Sequence, residues 1–148
     1  MLDMQKLDGF ELTVKDLMIS SERVAHVQQE NNLEHALLVL TRSGYTAIPV
    51  LGHDYKLHGL ISTPKIMDAI LGLERIEFEK LEEMKVAEVM DSNLPCLKES
   101  DSIEKAMELL IDHPFVCVVG TEGTFEGILT RRQVMKHTNR LIKIIKYN

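Results

Sequence analysis

The chain has 148 residues, 45% of them hydrophobic and 27% charged, with a formal net charge of −6. That is the size and composition of one ordinary globular domain, and no apolar run approaches the roughly 20 residues that span a bilayer. The charge is segregated. From Arg131 onwards there are six Lys/Arg and no acid, so the preceding 130 residues carry −12. This excludes the domain-wide basic footprint of a general nucleic-acid binder, and it leaves room for a local anion site.

Met1–Asp8 has no basic leader and no apolar signal core, so the expected location is cytoplasmic. After an N-terminal segment (1–13), Arg23–Val27 alternates in hydropathy and predicts a short strand. Asn31 or Asn32 can cap a helix whose apolar residues Leu33, Ala36, Leu37 and Leu40 share one face, and Gly44 can end it. Thr46–Leu51 reads as a strand, Gly52-His53-Asp54 as a turn and Leu57–Ser62 as a returning strand. Ser62 or Thr63 caps the next helix, where Pro64 fits the first turn. Leu73–Lys85, with five acids and three bases, suits a solvated connecting helix anchored by Ile76, Leu81 and Met84, a partner-docking surface being the alternative. The same order then recurs. Ile103, Ala106, Met107 and Leu110 form a helix face, Phe115–Val119 and Phe125–Thr130 flank a turn at Gly120–Gly123, and a last helix starts near Arg131. Its residues Arg132, Lys136, Arg140 and Lys143 make a basic side, expected in solvent; a membrane surface or an acidic partner is the alternative use.

The recurrence is a duplication. Val14-Lys15-Asp16-Leu17-Met18 answers Val86-Ala87-Glu88-Val89-Met90 at an offset of 72. Leu33, Ala36 and Leu40 answer Ile103, Ala106 and Leu110 at 70, and Gly59-Leu60-Ile61-Ser62 answers Gly127-Ile128-Leu129-Thr130 at 68. Repeats of about 58 and 54 residues are short for independent cores, so a shared core is expected.

Chemistry is sparse. The six histidines are scattered without metal-ligand spacing, and no nucleophile–histidine–acid pattern or phosphate-binding glycine loop is present, so no enzyme activity and no cofactor are expected. Cys96 and Cys117 lack a Cys-x-x-Cys spacing and read as buried thiols, neither a disulfide nor a metal site. One feature breaks a local rule. Thr130-Arg131-Arg132 opens a helix, where acids normally complement the dipole. A bound anion would compensate, because free amides and arginine forks suit a phosphate. The alternative is that both arginines face solvent or pair with Glu122 or Glu126.

The β-α-β-β-α order, its tandem duplication and the paired Gly59-Leu60-Ile61-Ser62-Thr63 and Gly127-Ile128-Leu129-Thr130-Arg131 resemble CBS domains, two of which form a Bateman module. The resemblance covers about 125 residues. It implies an α+β fold with CBS domains at 14–72 and 86–148, the second including the basic C-terminal helix, and a connecting helix at 73–85. Arg-Val-Ala-His-Val, Gly-Tyr-Thr-Ala-Ile-Pro-Val and Gly-Leu-Glu-Arg-Ile-Glu-Phe-Glu-Lys-Leu are similar to the stand-alone CBS proteins of Gram-positive bacteria that bind cyclic di-AMP (the DarB/CbpB type). Adenylate-binding CBS pairs place an Asp three residues after the Ser/Thr to hold ribose hydroxyls. Lys65 and Gln133 stand there instead, which fits a cyclic dinucleotide, with its 3′ hydroxyls esterified, better than the alternative ligands AMP, ADP and ATP.

Carried over residue by residue, the resemblance implies one ligand site built from Arg23, Ala25, Val27, Tyr45, Thr46, Ala47 and Pro49 with Thr130, Arg131 and Arg132. Ala25 and Ala47 are small enough for an adenine to lie against, Tyr45 can stack, and Arg23 adds a cation for a second phosphate. Val27, Ala47 and Tyr45 are equally readable as core or strand residues. A second, pseudo-symmetric site, Leu94–Leu97 and Phe115–Val118 with Ser62–Lys65, is expected to be weak or empty. The implied partners are cyclic di-AMP, a second copy in a homodimer, and an effector protein such as the (p)ppGpp synthetase/hydrolase, released when ligand binds. No nucleic acid and no membrane are expected as partners.

Overall fold

A computed structural model describes residues 12–147, so most of the 1–13 segment lies outside the described residues. In chain order the elements are α1 (Val14–Leu17), β1 (Ile19–Ser20), a 3-10 turn (Ser21–Arg23), β2 (Val27–Gln28), α2 (Leu33–Ser43), β3 (Ala47–Leu51), β4 (Leu57–Ser62), α3 (Thr63–Ile70), α4 (Lys80–Glu83) and α5 (Val86–Val89). The second half gives β5 (Cys96–Leu97), α6 (Ile103–Asp112), β6 (Phe115–Val119), a 3-10 turn (Thr121–Gly123), β7 (Phe125–Thr130) and α7 (Arg131–Tyr147). They form two compact units. Unit I takes the chain up to Val24, Pro95–Gly120 and Glu126 onwards; unit II takes Ala25–Leu94 with Thr121–Phe125.

Unit II is a three-stranded sheet in the order β2-β3-β4, with β2 parallel and β4 antiparallel to β3. Asn32 caps α2 by accepting the His35 N–H at 2.9 Å, and Gly44 closes the helix in the left-handed region at φ 79°. The stripe Leu33, Ala36 and Leu40 is fully buried with Ile48, Val50, Ile61, Ile66 and Ile70 in one core. Each such aliphatic side chain contributes about 1.5–3 kcal/mol on leaving water, which is what binds α2 and α3 to the sheet.

Two predicted elements come out shorter. Arg23–Val27 is not one strand: Ser21–Arg23 winds into a 3-10 turn, and the strand is only Val27–Gln28. It stops because the Gln28 N–H is taken by the Asn31 side chain, while the Gln28 carbonyl accepts from the Asn31 N–H. The connecting helix is only Lys80–Glu83. Before it the chain makes a tight loop, in which Gly72 N–H bonds the Arg75 carbonyl and Leu71 bridges Ile76. Leu81 and Met84 pack on the unit II core as expected, whereas Ile76 stays exposed.

Unit I is a four-stranded sheet, β1-β7-β6-β5. Val14, Leu97, Ala106, Leu110, Val116, Val118, Leu129 and Val134 fill its core. The expectation of one shared core is revised to this extent: most of the buried apolar side chains fall into two clusters, one in each unit. Ser102 caps α6 through the Lys105 N–H.

The leading leg of each repeat does not belong to its own repeat's sheet. The α1–β1 leg is in unit I with the second repeat: Val14 N–H bonds the Asp101 carbonyl and Lys15 N–H the Glu99 carbonyl, at 2.9 and 3.0 Å. The α5 leg is in unit II with the first: Val86 N–H bonds the Asn31 carbonyl and Ala87 N–H the Gln29 carbonyl, at 2.8 and 3.0 Å. These are the same bonds at repeat-equivalent positions. The repeated glycines mark the same exchange. A Cβ on Gly127 would stand 2.1 Å from the Ile19 carbonyl oxygen, and one on Gly59 would stand 2.7 Å from that of Asp91. Ile19 and Asp91 are 72 residues apart, the offset of the two legs. Only glycine lets the strand backbone approach so closely. Among the described residues no helix is long and apolar enough to cross a membrane.

Candidate functional site

The unit I residues expected from the sequence to meet an anion, Thr130, Arg131 and Arg132, sit where β7 passes directly into α7. Thr130 caps the helix, its Oγ1 accepting the Gln133 N–H at 3.1 Å. Neither acid nor capping carboxylate occupies the first turn of this 17-residue helix. The two arginines that open it do different things.

Arg131 is committed to the fold. Its Nε donates to the Leu110 carbonyl at 2.7 Å and its Nη2 to the Ile111 carbonyl at 2.9 Å, while its backbone N–H bonds the Pro114 carbonyl at 3.0 Å. Leu110 and Ile111 are in the last turn of α6, whose carbonyls lack partners within the helix. The fork thus caps α6, and among the described residues neither Glu122 nor Glu126 is its partner. Arg132, one residue and about 100° further round the helix, is exposed, and its side chain has no hydrogen bond or ion pair among the described residues. It is the cation left available at the positive end of the α7 dipole.

Arg23 ends the 3-10 turn after β1 and is exposed. The β1–β7 register pairs Ser20 with Gly127, so the chain towards Arg23 and the chain towards Thr130 leave that ladder at opposite ends. The ladder therefore does not bring Arg23 to Arg132.

The remaining residues lie in unit II and divide by the two-residue period of β3. Ile48 and Val50 point into the core, which puts Ala47 and Pro49 on the opposite face with their β4 partners Ser62 and Leu60. Ala47 is half-buried and small; Pro49 is buried. Thr46 is exposed, and its carbonyl accepts the Thr63 N–H at 3.0 Å, which fixes the strand end against the start of α3. Tyr45 is 39% exposed. Ala25 is half-buried at the edge of the core. Val27, at 2% exposure, lies in the core with Val50, its strand partner, which agrees with the core reading of this residue.

Sequence reasoning passed over Tyr55. It takes a left-handed φ of 65°, lies edge-on to His26 at 5.8 Å between ring centroids and tilts against buried Phe125 at 6.3 Å. This aromatic group steadies the residue next to Ala25. The signal was the turn Gly52-His53-Asp54-Tyr55, which has more polar and aromatic residues than a two-residue hairpin turn requires. Among the described residues no group of three or more His, Cys, Asp or Glu is placed to hold a metal.

Comparison with known proteins gives consistent matches. The sequence pattern of the CBS domain matches residues 14–72 and 86–140. The chain is 54% identical over 143 residues to the cyclic di-AMP receptor B of Bacillus subtilis, covering 97% of each. A CBS domain-containing protein of Bacillus anthracis is 65% identical, with a TM-score of 0.84 over 90% of this chain and 98% of that one. The CbpB protein of Listeria monocytogenes in complex with cyclic di-AMP is 59% identical, with a TM-score of 0.83 over 88% and 98%.

Proposed function

Because this chain belongs to the CBS-domain family as a tandem pair, we propose that it is a non-enzymatic cytoplasmic sensor of cyclic di-AMP. The observation that carries this reading is Arg132, without a side-chain partner among the described residues, at the start of a helix with no acid in its first turn. A dinucleotide with two phosphodiesters supplies the missing negative charge. The similarity to a receptor and to a complex of that ligand narrows the anion to this class.

In this reading Arg132, the Thr130 hydroxyl and the α7 amides take one phosphate, and Arg23 takes the second. Arg131 holds the helix start in place. Ala25, Ala47 and Thr46 receive an adenine, Tyr45 stacks on it, and Val27 and Pro49 back the strands behind it. Two copies pair through apolar side chains that unit I leaves exposed, Met107 and Ile111 on α6 with Ile142 and Ile145 on α7. The ligand-free form binds an effector protein, the (p)ppGpp synthetase/hydrolase being the one the family points to, and ligand releases it. Ligand switches that equilibrium only by binding the free form better than the complexed one.

Calorimetry with cyclic di-AMP, AMP, ADP and ATP tests the proposal. Wild type should bind the cyclic dinucleotide at micromolar concentration or better and the mononucleotides much more weakly. Loss of a hydrogen bond to a charged group, about 1.5–3 kcal/mol, should weaken Arg132→Met by roughly 10–100-fold. Saturable heat with AMP or ATP in place of cyclic di-AMP would make this an energy sensor instead. Silence with every ligand would overturn the reading.

A further inference from the structure

The two cysteines of the chain occupy one rung of one sheet. β5 and β6 run parallel in unit I, and their register places Cys96 directly opposite Cys117. The next rung pairs Leu97 with Val118, both of which point into the unit I core. Side chains alternate along a strand, so both cysteines point to the other face, side by side. Neighbouring strands lie about 4.8 Å apart, inside the roughly 4.4–6.8 Å between Cα atoms that a disulfide spans. Both are thiols in this structure. They differ in access: Cys117 is 1% exposed on an inner strand, whereas Cys96 is half-exposed on the edge strand. No chemistry described above uses either one.

We propose that Cys96 and Cys117 are a peroxide-oxidised dithiol that closes into an intrachain disulfide. Hydrogen peroxide reaches the edge thiol first. The Cys96 sulfur attacks the O–O bond; an S–O bond forms, the O–O bond breaks, and the departing hydroxide takes the Cys96 thiol proton to become water. The Cys117 sulfur then attacks the Cys96 sulfenic acid. The S–S bond forms, the S–O bond breaks, and a second water leaves with the Cys117 proton. Two thiols and one peroxide become one disulfide and two waters, the sulfurs losing two electrons and the peroxide gaining them. Burial holds both thiols above their ordinary titration range, Cys117 far above it. The pair therefore stays protonated and reduced at neutral pH, and closes only under sustained oxidant. The bond would clamp the two-residue edge strand β5 onto β6 and enclose all of α6 between its ends.

The test treats full-length reduced protein with hydrogen peroxide, followed by intact mass and non-reducing peptide mapping. The expected product is lighter by two hydrogens, contains a Cys96–Cys117 linked peptide, melts at a higher temperature than the reduced chain, and reverts with dithiothreitol. Cys96→Ser and Cys117→Ala should each abolish the mass loss. Cys96 is half-buried on the edge strand, where serine is readily accommodated, so a folded variant is available from at least one. Oxygen adducts on Cys96 with Cys117 intact, interchain dimers through Cys96, or two surviving thiols after prolonged exposure would each overturn the proposal.

Discussion

Arg131 and Arg132 are neighbours in sequence with opposite duties. The Arg131 guanidinium supplies two donors to the end of α6, and truncation leaves two helix-end carbonyls to water. Arg131→Ala should lower stability by about 1.5–3 kcal/mol, the range for hydrogen bonds involving a charged group, read as a reduced urea midpoint at unchanged slope. Arg132→Met should leave that midpoint within about 0.5 kcal/mol, the usual effect of a surface change, while weakening ligand. The sequence revealed that a rule was broken at this helix start, but not which arginine was spent on the fold. That depends on α6 lying beside one side of α7, which no local pattern encodes. Elsewhere on the surface, Arg75 grips Glu79 and holds its carboxyl at about 2, well below the ordinary range. The folded pKa is depressed, so this pair's contribution is complete above the unfolded value near 4.3 and disappears as pH falls through about 2. Carboxyl NMR should place the Glu79 midpoint near 2 in wild type. In Arg75→Ala it should return to the ordinary range; a wild-type midpoint already there would remove the pair from the account.

At the scale of elements, the Gly-h-h-Ser/Thr sequence at the end of β4 and β7 has a steric cause. In each unit the glycine gives room to a carbonyl of the leg that has crossed over, Ile19 against Gly127 and Asp91 against Gly59. Alanine at either position must push backbone from backbone. Gly127→Ala, at 2.1 Å from its obstacle and φ 157°, should cost more than Gly59→Ala at 2.7 Å. Both should exceed Gly123→Ala, where φ is 82° but nothing stands within 4 Å. The left-handed penalty alone is about 1–2 kcal/mol, and a forced ladder separation brings the first to roughly 3 kcal/mol or more. Thermal melts of the three variants should fall in that order. Helices and hairpins were legible because caps, glycine stops and apolar periods are local. The strand at 23–27 and the helix at 73–85 were misread for the converse reason. The 3-10 turn at Ser21–Arg23 takes the start of the first out of strand geometry, and Gly72 with the Leu71–Ile76 bridge turns the second back.

The whole molecule is less separable than its duplication implies. A repeat predicts the same local structure twice, and it does not say which copy of a leg completes which sheet. Both assignments satisfy the same sequence pattern, and only the tertiary bonds distinguish them. Here Val14, fully buried, completes the core of the unit that holds the second repeat, and Val86, equally buried, completes that of the first. A cut at the repeat boundary, near Glu79, therefore leaves each half lacking a buried valine, a set of backbone bonds and one strand or bridge partner. Losing that much from a unit of about half this chain removes a large share of the few kcal/mol that keep a small core folded. The fragments 12–79 and 80–148 should each give poorly dispersed NMR spectra alone. Mixed at equal concentration they should regain the dispersion of the intact chain, because each then receives its leg from the other. A fragment 12–79 that folds cooperatively by itself would show that the first repeat keeps its own leg, and would refute the exchange.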